Sequence, residues 1–167
     1  PAAVQLGGPV LLVGPTSIPS AVRAELNRLR PQRIIVVGGT GVVSGSVASE
    51  LRSFASTRSV TRLGGADRYA TSRAIAEFAF PRASEAYVAT GAGFADALSA
   101  GAAGANRAAP VILVPGASSG VDSATRSLLN RMRVSRIYVA GGTGVISNGV
   151  VTSLRTVAPV TRLAGAD

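Results

Sequence analysis

The chain repeats itself, and no other feature constrains its fold as tightly. The segment Gly8–Asp67 returns as Ala109–Asp167: GPVLLV is answered by APVILV, RIIVVGGTGVVS by RIYVAGGTGVIS, and VTRLGGAD by VTRLAGAD. The offset is 101 between Pro9 and Pro110, 103 between Gly38 and Gly141, and 100 between Asp67 and Asp167, so short insertions and deletions fall in the connections. A unit of roughly 100 residues is far longer than a solenoid repeat and large enough to bury a core of its own.

Within the unit, short β-branched runs alternate with ten- to fifteen-residue helical patterns, the signature of βαβ units and a parallel sheet. The pattern predicts strands at Pro9–Val13, Arg33–Val37, Val60–Leu63, Ala86–Thr90, Pro110–Val114, Arg136–Ala140 and Val160–Leu163. It predicts helices at Pro19–Leu29, Ser44–Phe54, Asp67–Phe80, Ala95–Asn106, Val121–Met132 and Ser147–Val157. Right-handed crossovers would place helices on both faces, so the expected fold class is α/β: a Rossmann-like three-layer sandwich with a mainly parallel sheet, in tandem repeats of about 100 residues. Residues 1–66 read as the back part of one repeat and residues 62–167 as a second, essentially complete one. A start at Pro1, without Met, reads as a processed chain or a fragment cut from an array.

Composition then narrows the function. A 47% hydrophobic chain with 15% charged residues has a real core. Aromatics make up only 4%, with no Trp, so stacking platforms for bases or sugars are scarce and no nucleic-acid partner is expected. All 17 basic residues are Arg, against 8 acidic ones, and the resulting +9 charge favours polyanions. Guanidinium suits bidentate capture of phosphate or carboxylate, although a GC-rich genome also writes Arg in place of Lys. There is no Cys or His, which removes thiol chemistry and imidazole acid–base chemistry, and the carboxylates have no metal-ligand or acid–base spacing. The apolar runs are four or five residues long, well short of the roughly 18 that a membrane span needs.

Three motifs follow strand ends. GGTG, at Gly38–Gly41 and Gly141–Gly144, stands where a helix start could cradle a phosphate. It lacks the GxGxxG spacing and the GK[ST] of a P-loop, and reads better as a tight turn with Gly at positive φ and Ser44 and Ser147 capping the next helix. GAGFAD, Gly91–Asp96, looks like a dinucleotide loop with its third Gly replaced by Asp96, a carboxylate that favours a helix-dipole or ion-pair role. The string TRLGGADRYATSRAIAEF, Thr61–Phe78, gathers Arg62, Asp67, Arg68, Tyr69 and Thr71 around a helix start. That cluster suits either an anionic polymer group or a salt-bridge network with Asp67 as cap.

The strings VTRLGGADRYATSRAIA, AYVATGAGFADALSAGAAGANRAAPVILV and RIYVAGGTGVIS resemble the cell wall binding repeat 2 family, over one whole unit (Arg62–Leu163) and the back part of another (Pro9–Leu63). The resemblance implies an extracellular module at the cell wall or surface of a Gram-positive bacterium. It would bind an anionic secondary cell-wall polymer, such as a teichoic-acid-like chain, without covalent attachment, catalysis, metal or cofactor. It also implies assembly of modules in threes; this chain holds about one and two thirds, leaving a homo-oligomer or an inter-module trimer as the expected assembly. On matching positions the recurring polar residues are Arg62, Asp67, Arg68, Tyr69, Thr71 and Asp96, with Arg162 and Asp167 in the second copy. The alternatives are a self-assembling surface-layer or filament subunit and, less well supported by the loops, a nucleotide or sugar-phosphate enzyme.

Overall fold

The structure, a computed structural model, describes residues 1–165; Asp167, named above, lies outside them. The chain forms two compact units, Pro9–Thr71 and Pro1–Gly8 with the residues from Ser72 onward. Every strand pair is parallel.

The larger unit begins with α1 (Ala2–Leu6) and resumes within α4 (Arg68–Ala79). It continues through β3 (Glu85–Thr90), α5 (Ala95–Asn106), β4 (Val111–Val114), α6 (Ser123–Arg131), β5 (Arg136–Ala140), α7 (Asn148–Arg155) and β6 (Val160–Leu163). Its sheet has the order β4-β3-β5-β6. The chain moves one way from β3 to β4 and the other way from β4 to β5, so right-handed crossovers send α5 to one face and α6 and α7 to the other. Side-chain alternation agrees. Val88, Ile112, Val114, Ile137 and Val139 bury against Ala76, Leu128, Leu129, Met132, Val150, Val151 and Leu154. Tyr87, Ala89 and Ala140 face Ala97, Ala100 and Ala103 of α5. The methyl-sized residues of α5 let it lie close to the strands; a Cβ at Gly104 would come within 3.5 Å of the Tyr87 ring in β3 and would meet the Ala109 carbonyl of the turn that follows the helix at 2.7 Å. This is the expected three-layer α/β sandwich. At the far end of the same face, Tyr87 and Tyr138 stack with centroids 5.0 Å apart, Arg107 lies 5.6 Å over the Tyr138 ring, and Glu85 pairs with Arg107.

The smaller unit holds α2 (Ser20–Leu29), β1 (Arg33–Val37), α3 (Gly45–Leu51) and β2 (Ser59–Leu63), with β1 and β2 paired from Arg33↔Ser59 to Val37↔Leu63. Its core is Ile18, Leu26, Val36, Val43, Val47 and Leu51, flanked by Leu11, Val13, Ile34 and Val60. The predicted strand Pro9–Val13 does not form. Its counterpart β4 is a strand because it bonds to β3, and Pro9–Val13 has no such neighbour among the described residues. Helix α3 stops at Leu51, three residues short of the expected end, and the short α1 was not expected.

Connections are fixed by local polar chemistry. Asp122 caps α6 by accepting from the Thr125 amide at 2.7 Å and takes an ion pair from Arg73 at 3.0 Å. Burial alone would raise its carboxyl pKa, but the hydrogen bonds from Thr125, with Arg73 and Arg126 nearby, outweigh that and hold it below the ordinary 3.8. After β4, Gly116 leaves no room for a side chain: a Cβ would run into the Val145 carbonyl oxygen and approach Thr90 Oγ1 to 2.9 Å. Two outcomes follow. Gly116→Ala should lower stability by about 1–3 kcal/mol through overpacking, seen as a lower urea midpoint. A depressed carboxylate adds stability above its unfolded pKa and loses it as pH falls through the folded value. The urea midpoint should therefore fall as the pH drops below about 4, and fall less in Asp122→Asn.

Candidate functional site

In open parallel sheets, ligands bind beyond the carboxyl ends of the strands, where the winding reverses. In the larger unit that point lies between β3 and β5, flanked by the GAGFAD loop and the second GGTG loop. Gly141, the first residue of the latter, has φ +123° and Gly38 of the smaller unit has φ +112°, conformations that L side chains rarely adopt. Ser44 and Ser147 cap the helices that follow, accepting from the amides of Val47 at 3.2 Å and Val150 at 3.1 Å. The tight-turn reading of GGTG is therefore what the structure shows.

Each GGTG loop is held in the same way. The Gly38 and Gly141 amides donate to the carbonyls of Leu63 and Leu163, at 2.7 and 2.8 Å. Arg62 donates from Nη1 to the Gly38 carbonyl at 2.8 Å and from Nη2 to the Ser44 carbonyl at 3.2 Å. Arg162 donates to the Gly141 carbonyl at 2.7 Å and to Asn148 Oδ1 at 3.4 Å. The Ser44 and Ser147 amides are anchored in turn on the carbonyls of Pro15 and Gly116, both at 2.8 Å. A guanidinium suits this work because its fork reaches two acceptors and its charge strengthens both bonds.

The other expected residues divide between the units. In the smaller one, Asp67 accepts from the Ala70 amide at 2.7 Å and so caps α4, as one reading of the sequence had it. Thr71 Oγ1 accepts from the Gly65 amide at 3.0 Å, folding Gly64–Ala70 onto the helix start. Arg68 is exposed and Tyr69 half-buried at the first turn. In the larger unit, Asp96 stands in the first turn of α5, where the helix dipole favours a carboxylate. Its Oδ2 would lie 2.9 Å from a Cβ at Gly141, so Asp96 and the Arg162-held carbonyl meet at one glycine. Asn148, Thr90 and Gly116 were not singled out from sequence. Asn148 and Gly116 replace Gly45 and Pro15 of the first copy, so the repeat itself gave no signal. Among the described residues, no three His, Cys, Asp or Glu side chains gather as a metal group, and no helix is long and apolar enough to cross a membrane.

The likenesses to known proteins agree with this architecture. The cell wall binding domain 2 (CWB2) family matches residues 1–48 and 62–151. The chain is 30% identical over 167 residues, its full length, to the N-acetylmuramoyl-L-alanine amidase LytC of Bacillus subtilis (strain 168), of which it spans 32%. It is 30% identical over 113 residues to the amidase enhancer of the same organism, covering 68% of this chain and 16% of that protein. Among solved structures it resembles Cwp6 from Clostridium difficile, with a TM-score of 0.88 and 30% identity over 99% of this chain and 27% of the other. It also resembles Cwp8 from the same organism, with a TM-score of 0.85 and 31% identity over 99% and 28%. With GGTG turns, Arg-held loops and sheet order all in place, the chain belongs to the cell wall binding domain 2 family and is an extracellular, cell-wall-associated module.

Proposed function

We propose that this span is a non-catalytic anchor that holds to anionic secondary polymers of a Gram-positive cell wall without covalent attachment. The observation that carries the reading is the charge. Ion pairs such as Arg23–Glu50, Arg28–Glu25, Arg73–Asp122, Arg107–Glu85 and Arg131–Glu77 each cancel one cation with one carboxylate, and the surplus of +9 remains. Exposed Arg30, Arg52 and Arg58 in the smaller unit, and Arg82, Arg133 and Arg155 in the larger, spread that surplus over both. A polyphosphate or polyuronate-like chain meets such a field favourably and gains by releasing counterions.

The proposed roles differ by residue. Arg62 and Arg162 shape the loops from beneath, and Asp67 and Thr71 shape the turn that presents Arg68 and Tyr69. Arg68 is the proposed anion contact, and Tyr69 the apolar wall beside it. Asp96, beside Gly141, would accept a hydrogen bond from a sugar hydroxyl, because its charge would repel a phosphate. Because the chain spans 32% of LytC and 16% of the amidase enhancer, the activities in those names are not carried over to it.

The test is sedimentation of the purified chain with isolated Gram-positive walls, before and after acid extraction of their anionic polymers, over a salt series. Binding should vanish on extraction and weaken by at least about tenfold between 50 and 200 mM salt. Binding that survives both treatments would refute polymer anchoring and favour self-assembly or a protein partner. Arg68→Ala should weaken wall binding, read in the same sedimentation assay. Arg62→Ala should instead lower stability, by about 1.5–3 kcal/mol, because it strips charged hydrogen bonds from two loop carbonyls.

A further inference from the structure

The two ends of each sheet carry different chemistry. The GGTG loops leave the strands at their carboxyl ends, and the chain enters the strands at the opposite end, through connections that follow the helices. In the larger unit the connections into β3 and β5 are bonded to each other: the Ala83 amide donates to the Met132 carbonyl at 3.0 Å, and the Ser135 and Arg136 amides donate to the Ser84 carbonyl at 2.9 and 3.1 Å. They bring Arg82, Arg133 and Arg136 to one end of the sheet, with Arg155 in the last turn of α7 at the same end, all four exposed. The carboxylates at this end, Glu77 and Glu85, are already engaged by Arg131 and Arg107. The smaller unit is built alike. Its connections into β1 and β2 are joined by the Ser56 and Thr57 amides, which donate to the Pro31 and Gln32 carbonyls at 2.9 and 3.3 Å, and they expose Arg30, Arg52 and Arg58.

Three of these arginines occupy a backbone conformation that disfavours them. Arg30, Arg58 and Arg133 have φ of 45°, 54° and 60°, in the left-handed region that glycine enters freely and that costs a residue with a Cβ. A GC-rich genome writes Gly as readily as Arg, so codon usage does not explain the choice. The repeat keeps the cations and not the acids: Arg30, Arg33 and Arg52 return as Arg133, Arg136 and Arg155, whereas Glu25 and Glu50 return as Leu128 and Ser153. The helix dipole favours Arg155 in the last turn of α7, but its effect is spent within that turn, and Arg58, Arg82 and Arg136 lie outside the helices. Arg133 also keeps its exposure in the larger unit, where the connection into β3 is bonded to the residue beside it.

We propose that the strand-entry end of each unit is a second contact surface for the anionic polymer, on which exposed arginines take successive phosphate or carboxylate groups. This second surface rests on the anchoring reading above and, in the smaller unit, lies at the other end of the strands from the turn that presents Arg68. A guanidinium exposed on a turn offers its whole fork to an arriving oxyanion, and several at one end hold a polymer more firmly than any one of them.

The experiment removes cations where glycine suits the backbone. A chain carrying Arg30→Gly, Arg58→Gly and Arg133→Gly is sedimented with isolated Gram-positive walls beside the original chain. A third chain carries Ser49→Glu, Ser127→Glu and Thr152→Glu, exposed helix positions whose change lowers the net charge by the same three units. The fold of each is checked by its urea midpoint. The glycine chain should bind about tenfold or more weakly at about 50 mM salt and depend less steeply on salt, while the charge-matched chain stays within about threefold of the original. Should the glycine chain bind as the original does, or the two altered chains weaken alike, the second surface is overturned while anchoring stands. An original chain that does not bind walls overturns both. Should the glycine chain fail to fold, the original chain is titrated with inorganic polyphosphate and, separately, with polygalacturonate, and its amide resonances are followed. Shifts at Arg30, Arg58, Arg82 and Arg133 support the surface, and the polymer that produces them distinguishes phosphate from carboxylate. No shift at those four residues, including a response confined to the GGTG loops, overturns it.

Discussion

A parallel strand cannot complete its ladder with its sequence neighbour, because a tight hairpin returns the chain antiparallel. Each strand here must wait for a partner delivered by a helical crossover, and the molecule is organised around that need. In the larger unit β3 is the keystone: it bonds to two strands, is buried on both faces, and sets the direction in which the chain winds to either side. The reversal of winding at β3 sends α5 to one face and α6 and α7 to the other, and brings the loops after β3 and β5 together. The candidate site is thus a by-product of the strand order. In the smaller unit, where no strand occupies the keystone position among the described residues, the same sequence pattern yields a two-stranded sheet and an extended segment.

The loops show a second economy. One residue of a strand, Arg62 in β2 or Arg162 in β6, fixes the loop after the neighbouring strand by holding its carbonyls. The anchors differ between copies: Ser44 and Ser147 rest on Pro15 and Gly116, and the second Arg nitrogen bonds a carbonyl in one copy and Asn148 in the other. What the repeat keeps is the route of the chain.

Much of this was legible in the sequence where causes are local. Ser44, Ser147 and Asp67 cap helices three residues away, and their identity and position announce it. The strands β1 to β6 show as short runs rich in Val, Ile and Thr, and those of β3, β4 and β5 are buried on at least one face. The repeat made the architecture readable by comparison within the chain. Pro9–Val13 misled because a strand is a property of a pair, and no residue in that segment reports whether its partner exists. Arg62 resisted reading because its acceptors lie 24 and 18 residues away. The approach of Asp96 to Gly141 is set by the order of β3 and β5, which the residues around Asp96 do not encode. Five-residue α1, with no side-chain cap, has too little periodicity to register.

The Arg-held loops also tie the shape of each strand end to the pairing beneath it. Arg62 lies in β2 and reaches the loop after β1, and Arg162 lies in β6 and reaches the loop after β5. A strand that parted from its neighbour would carry the loop's restraint away with it, so the shape of each loop reports whether the strands beneath it are paired.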